Sequence, residues 1–412
     1  MYVVSDNVQN KLEALLADSS VQKAVETVFA DKAAIIEKQK ELVLIPAPTG
    51  SEQKKAERLL EMFKEEGLTD CHIDEYGNCV GIRKGTGGGK TTLLEAHMDT
   101  VFPMDTKLEI IEEDGYIKCP GIADNTWGCV ALLSVVRALN AASIQTKGDI
   151  HVVGTVKEEG IGAFRGMKYY CNHHPELEAS ITVDGVAINM VTYLQTGLQT
   201  YEIIFHGGSG HVYANFGNVS NALHAAGRAI AKIAEIEVSS NPFTTYGVTG
   251  CHVGTIEGIH AVMPEVHMTF NYRSDSQEEM DKVGEKIFAA IDEACAEETA
   301  RWGTAPITYT VIHHNDCKVG KQDVHDPIVE AAFATAKCLG TEPGFNSGGC
   351  TNLGGALEAG IPGICVGLGG TYNVKCHSLE EQFKPDDAHE CVQQALLITL
   401  LCAGTDIAES IL

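Results

Sequence analysis

Between residues 8 and 42 apolar side chains recur mostly three and four positions apart, through Leu12, Leu15, Leu16, Val21, Ala24, Val25, Val28 and Phe29. That period predicts helix, and Pro46 and Pro48 forbid its continuation. A second stripe, Ala56, Leu59, Leu60 and Phe63, predicts a helix that opens at Ser51 and stops at Gly67. The pattern then changes. Residues 78–83 and 91–96 read as strands, and the glycine-rich stretch 85–89 between them as a flexible hairpin turn. Residues 127–139 read as helix, 149–155 as strand, 162–170 as helix and 179–183 as strand. Alternating strands and helices predict an α/β fold, with a mostly parallel sheet flanked by helices. Open sheets of this kind place their ligands at the carboxyl ends of the strands.

From about residue 194 the texture differs. A strand over 200–205, a helix over 218–235, strands over 250–257 and 265–272, a helix over 278–298 and a strand over 307–312 follow in order. This β-α-β-β-α-β order predicts a ferredoxin-like α+β insert. The parent pattern resumes with helices over 327–338 and 352–359, a strand over 363–366 and a helix over 385–401. The expected organisation is a parent domain in two parts, 1–193 and 314–412, interrupted by an insert over 194–313.

Charge narrows the partners. With 30 basic and 56 acidic residues the formal net charge is -26. Such a surface repels nucleic acid and anionic bilayers, so neither is an expected partner. The N-terminal residues carry no basic segment leading into an apolar one, and no run of about 18 apolar residues is present. The 14 cysteines are scattered without a Cys-x-x-Cys pair, which suits buried free thiols and a cytoplasmic location. Gly85 to Lys90 is a poor phosphate loop. Lys84 stands where the motif requires glycine, and a strand follows where a helix should supply N–H donors.

Acids and imidazoles stand where the predicted strands end. His97-Met98-Asp99 follows a buried strand and presents His97 as a ligand, with Asp99 two residues on to orient it. Glu158 and Glu159 follow the strand over 149–155, and two carboxylates facing one site require a cation between them. Glu159 suits a ligand, which leaves Glu158 to take a proton from an activated water. Asp184 ends the strand over 179–183, Asp124 precedes an apolar helix, and His377 supplies a second imidazole. This mixture of donors suits a pair of zinc-like ions sharing one carboxylate. Each residue has an ordinary alternative: a surface or loop histidine, a helix cap at Asp124, an acid-glycine turn at Asp184. His173-His174 and His313-His314 read as loop surface.

Taken together, His97-Met98-Asp99-Thr100-Val101, Gly121-Ile122-Ala123-Asp124-Asn125, Lys157-Glu158-Glu159-Gly160, Val183-Asp184-Gly185 and the glycine-rich segment before His377 resemble the M20 metallopeptidases. The resemblance covers nearly the whole chain. It implies two zinc ions, with cobalt or manganese as alternatives, bridged by Asp124. His97 and Asp184 would hold one ion, Glu159 and His377 the other, and Glu158 would be the general base. It also implies that the insert is a lid that makes a homodimer, that His211 stabilises an oxyanion, and that Arg273 holds a substrate carboxylate unless it pairs with Asp275. Asn352 and Gly349, within 345–355, fall in the expected substrate-binding loop. The implied activity is hydrolysis of a small peptide. N-acyl amino acid hydrolysis and a non-catalytic metal-binding role are the alternatives. The chain departs from the family pattern at Asn125-Thr126-Trp127, at Cys350-Thr351-Asn352 and at Ala261, where many members have asparagine.

Overall fold

The computed structural model describes the chain except residues 1, 185–186, 254–257, 303–304, 347–348, 368 and 370–372. Gly185, the end of the expected strand over 250–257 and parts of the loops before Asn352 and His377 therefore lie outside the described residues. The long N-terminal helix expected from periodicity is three helices, α1 (Asp6–Ala17), α2 (Ser19–Ala30) and α3 (Lys32–Val43). The first break is chemical: the Asp18 carboxylate accepts from the amides of Ser20 and Val21 and so caps α2. The apolar stripe stays in phase across it and hides it. α4 (Gln53–Glu65) follows.

Strands β1 (Thr69–Ile73), β2 (Cys79–Arg83) and β3 (Thr92–His97) come next. β4 (Ile111–Glu113) and β5 (Tyr116–Lys118) form a small hairpin turned at Asp114-Gly115, both with positive φ. The chain continues through α5 (Gly128–Ala141), β6 (Ile150–Thr155), α6 (Arg165–His173), β7 (Ala179–Val183) and β8 (Met190–Thr192).

The next segment comprises β9 (Gly197–His206), β10 (Gly210–His211), α7 (Ala222–Ala234), β11 (Thr244–His252), β12 (Ala261–Val262), β13 (Glu265–Ser274), α8 (Gln277–Trp302) and β14 (Thr308–Cys317). Then come α9 (Pro327–Cys338), β15 (Gly344–Asn346), α10 (Leu353–Glu358), β16 (Gly363–Val366), β17 (Gln382–Phe383) and α11 (Ala388–Ala403).

The chain divides into two compact units, residues 1–195 with 320–412, and residues 196–319. In the first unit an eight-stranded sheet runs β1-β2-β6-β3-β7-β16-β8-β15. Its centre, β6-β3-β7-β16, is parallel. Every residue of β3, β6 and β7 is buried, which explains why they are mostly apolar. α5 and α11 are almost wholly buried in the same core. Among the described residues, one helical segment, Ile122–Ala141, is long and apolar enough to cross a membrane, and it is this buried core helix with its preceding turn.

The glycine-rich stretch 85–89 is not a hairpin turn, because β6 lies between β2 and β3. It crosses over instead against the backbone of Lys147 and Gly148, so closely that a Cβ at Gly85 or Gly89 would collide with it.

The second unit has the antiparallel order β11-β13-β9-β14, with α7 and α8 supplying its own apolar core. This is the ferredoxin-like order. The unit runs from Thr196 to Val319 rather than over 194–313, because β14 continues to Cys317. The second expected strand is β11, over Thr244–His252, and so begins earlier than residue 250.

Candidate metal centre

Three neighbouring parallel strands deliver acids and an imidazole to one edge of the first unit. His97 is the last residue of β3, Glu158 and Glu159 stand just beyond β6, and Asp184 follows β7 directly. Asp124 enters from the turn before α5, and its peptide bond to Asn125 is cis. Asn125 is buried. It donates to the Val183 carbonyl at 2.8 Å and accepts from the Gly128 amide at 3.0 Å, which ties this turn to β7 and to the start of α5. His377 arrives from the segment between β16 and β17.

These side chains converge around Asp124. Its Oδ1 lies 3.1 Å from His97 Nε2, and Asp184 Oδ1 lies 3.7 Å from the same nitrogen. Its Oδ2 lies 3.2 Å from His377 Nε2, which is 2.9 Å from Glu159 Oε1. One carboxylate thus faces a His97–Asp184 group with one oxygen and a Glu159–His377 group with the other. His97, Glu159 and Asp184 are buried, Asp124 nearly so, and His377 is exposed.

The electrostatics are those of a site short of positive charge. Burial drives the Glu158 carboxyl well above its usual range; Asp184, Glu159 and Asp99 add to the shift and His97 opposes it. Burial also raises Glu159. Hydrogen bonds to Asp124 and Glu159 lift His377 to about 10. Burial opposes the charged form of His97, yet Glu158, Asp124, Asp184 and Asp99 hold it protonated well above the ordinary imidazole range. Burial would raise Asp124 too, but its bonds to His377 and His97 prevail and pull it down. Protons on the imidazoles therefore do part of what a divalent cation on each side of Asp124 would do. Imidazoles and carboxylates clustered in this way fit such ions.

A set of supporting residues holds the donors. Asp99 is fully buried. Its Oδ1 accepts from the Glu158 amide at 3.0 Å and its Oδ2 from the Glu159 amide at 2.9 Å, while Thr49 donates to Oδ2 at 2.9 Å. Its carbonyl oxygen lies 3.1 Å from His97 Nδ1. Asp99 therefore positions the Glu158–Glu159 loop as well as the His97 ring.

Sequence reasoning overlooked two further acids. Glu381 is fully buried and accepts from the amides of Gly121, Ala123 and Asp124, at 3.1, 2.8 and 2.8 Å. Burial raises it to about 7. Glu95 lies two residues before His97, hence on the same face of β3, and burial raises it to about 7 as well. A charged residue inside an apolar strand was the available signal for Glu95. Glu381 had none beyond its closeness to His377 in the chain.

Asn352 requires a correction. It is fully buried, and its amide donates to Glu95 Oε2 at 2.9 Å and to Thr155 Oγ1 at 2.7 Å. It supports Glu95 from inside the core, rather than standing open on the loop as expected. Gly349 is half-buried, and a Cβ there would make only ordinary contacts with the surrounding protein.

His211 and Arg273 belong to the second unit. His211 is exposed on β10, directly across from Ala261 of β12. Its Nδ1 accepts from the amides of Tyr213 and Ala214 at 3.2 and 3.4 Å, so the proton of the neutral ring sits on Nε2. Arg273 is exposed on β13 and has no ion-pair partner among the described residues. Asp275, the expected alternative partner, accepts from Thr196 at 2.7 Å.

The family model for Peptidase family M20/M25/M40 matches residues 93–399, a span that takes in every one of these donors. The chain belongs to that family. This M20 member is 26% identical over 354 residues to the uncharacterized protein YqjE of Bacillus subtilis, covering 81% of this chain and 90% of that one. It is 23% identical over 262 residues to succinyl-diaminopimelate desuccinylase of Corynebacterium glutamicum, covering 61% of this chain and 69% of that one. A tripeptidase from Staphylococcus aureus shares the fold, with a TM-score of 0.74, 23% identity, and coverage of 90% of this chain and 98% of that one. The protein is thus a hydrolase of a metallopeptidase family.

Proposed function

We propose that the protein hydrolyses the amide bond of a small peptide that carries a free carboxylate. The observation that carries this reading is the Asp124 carboxylate, whose two oxygens face two separate donor groups across buried acids. His97 and Asp184 would hold one divalent cation, Glu159 and His377 a second, and Asp124 both. The donors suit zinc, with cobalt or manganese as alternatives. When bound, the pair supplies Lewis-acid activation of water and of the scissile carbonyl.

The side chains do the rest. Glu158 is the base: it takes a proton from the attacking water and hands it to the departing amine. His211 donates from Nε2 to the oxygen that develops negative charge. The Arg273 guanidinium, without an ion-pair partner among the described residues, is available to fork onto the substrate carboxylate. The apolar side chains beside His211, with Tyr213 at 89% and Phe216 at 73% exposure, supply a surface for a second copy of the chain, which we assign to a homodimer through this unit. The cysteines are thiols rather than disulfides, in keeping with a cytoplasmic enzyme.

Turnover of a panel of di- and tripeptides beside N-acetyl and N-succinyl amino acids, by protein of measured metal content, tests the reading. Peptide cleavage that scales with bound metal is expected. Full cleavage by metal-free protein would overturn it. Cleavage of the N-acyl compounds alone would favour an N-acyl amino acid amidohydrolase, a second reading supported by the similarity to the desuccinylase. A non-catalytic metal-binding protein would have no use for the buried Glu158.

A further inference from the structure

A second group of imidazoles lies at the far end of β6. His151 is the second residue of that strand, whereas Glu158 and Glu159 follow its other end. His174 and Glu176 stand in the connection between α6 and β7. One ring nitrogen each of His151 and His174 and one carboxylate oxygen of Glu176 lie within 4.8 Å of one another. His174 Nδ1 is 2.8 Å from Glu176 Oε1.

Tyr170 arranges both rings. Its hydroxyl lies 2.9 Å from His151 Nδ1, and its own ring stacks on His174 with centroids 4.1 Å apart. The His174 ring in turn meets His151 edge-on. With Nδ1 engaged by the tyrosine, Nε2 is the His151 nitrogen left to bind a ligand. Metal-binding histidines are generally held through their second nitrogen in this manner. Lys84 and Asp149, also near, pair with each other at 3.1 Å.

We propose that His151, His174 and Glu176 form a second cation site, of zinc type, independent of the Asp124 centre. Two imidazoles and one carboxylate are an established zinc donor set, and they leave one position for water. The site is reached from solvent, since His174 is half-buried and Glu176 exposed. Its place in the fold suits a bracing role. An ion there would fasten the end of α6 to the start of β6. α6 lies in the connection between β6 and β7, the two strands that Glu159 and Asp184 follow, so the ion would brace the scaffold of the centre without touching substrate.

The test compares the full-length protein with the double variant His174→Ala, Glu176→Ala after equilibrium dialysis against zinc. Both substituted side chains are at the surface, and both proteins keep the Asp124 centre intact. The difference in zinc content therefore does not depend on how many ions that centre holds. The variant is expected to hold one zinc equivalent fewer per chain while retaining its turnover. Added zinc should also raise the unfolding midpoint of the parent protein beyond that of the variant, because an ion bound only by the folded state stabilises it. Equal zinc content and equal zinc dependence of the midpoint would overturn the proposal and leave His174 and Glu176 as a surface ion pair.

Discussion

The two regions assigned to the chemistry are built in opposite ways. At the carboxyl edge of the parallel sheet the acids are buried and held from behind: Asp99 grips the Glu158–Glu159 loop, and Glu381 grips the turn that carries Asp124. In the second unit His211 and Arg273 stand exposed on their strands, and the arginine has no partner among the described residues. The difference suits the roles proposed for each. Converging carboxylates repel, so each needs neighbours that forbid it to swing away. A donor that meets only the substrate must keep its hydrogen-bonding capacity free until then.

Four measurements would break or sharpen this contrast. Glu158→Gln should lower turnover by ~10²–10⁴-fold while substrate binding and metal content stay near those of the parent; unchanged turnover would remove Glu158 from its role. His211→Ala should lower kcat by ~10²–10³-fold without loss of metal. If His211 serves a neighbouring copy, mixing the inactive His211→Ala and Glu158→Gln proteins should restore part of the activity, and metal loss from His211→Ala would erase the contrast between the regions.

The third measurement concerns pH. In metal-free protein His377, at about 10, and His97, held well above the ordinary range, carry protons at neutral pH. Metal binding must expel them, one per ion, so the affinity for each ion should rise with pH below those values, by about 10-fold per unit. Calorimetry in buffers of different ionisation enthalpy would count the protons released, and no release would contradict the assignment of these histidines as ligands. The smallest effect is expected from Asp99→Asn, which removes charge but not shape behind the centre. Metal affinity should fall by ~10–100-fold, read by competition with a chelator, and an unchanged affinity would deny Asp99 its positioning role.

Much of this architecture was legible in the pattern of residues. The strand ends that carry His97, Glu159 and Asp184 could be read because buried parallel strands leave continuous apolar runs that stop where chemistry begins. β1, β8 and β15 were missed, being short or exposed and poor in such runs. The β4–β5 hairpin had a usable Asp-Gly turn signal that was overlooked. Strand order was not legible, and so the 85–89 crossover passed for a hairpin. Asn352 shows the limit for sites. A polar residue in a glycine-rich loop suggests a substrate contact, yet only the three-dimensional packing reveals that it faces inward to Glu95.

The grip of Glu381 on the Asp124 turn joins residues 257 positions apart in the chain. His377 comes from the same late segment. A growing polypeptide therefore has no finished pocket for a cation until most of it has been synthesised and its final stretch has folded back onto the sheet. In the reading proposed above, acquisition of metal becomes a last step of maturation, and a chain cut short before residue 377 would lose β17, the core helix α11 and the His377 ligand, leaving Asp124 and Glu159 without their imidazole partner.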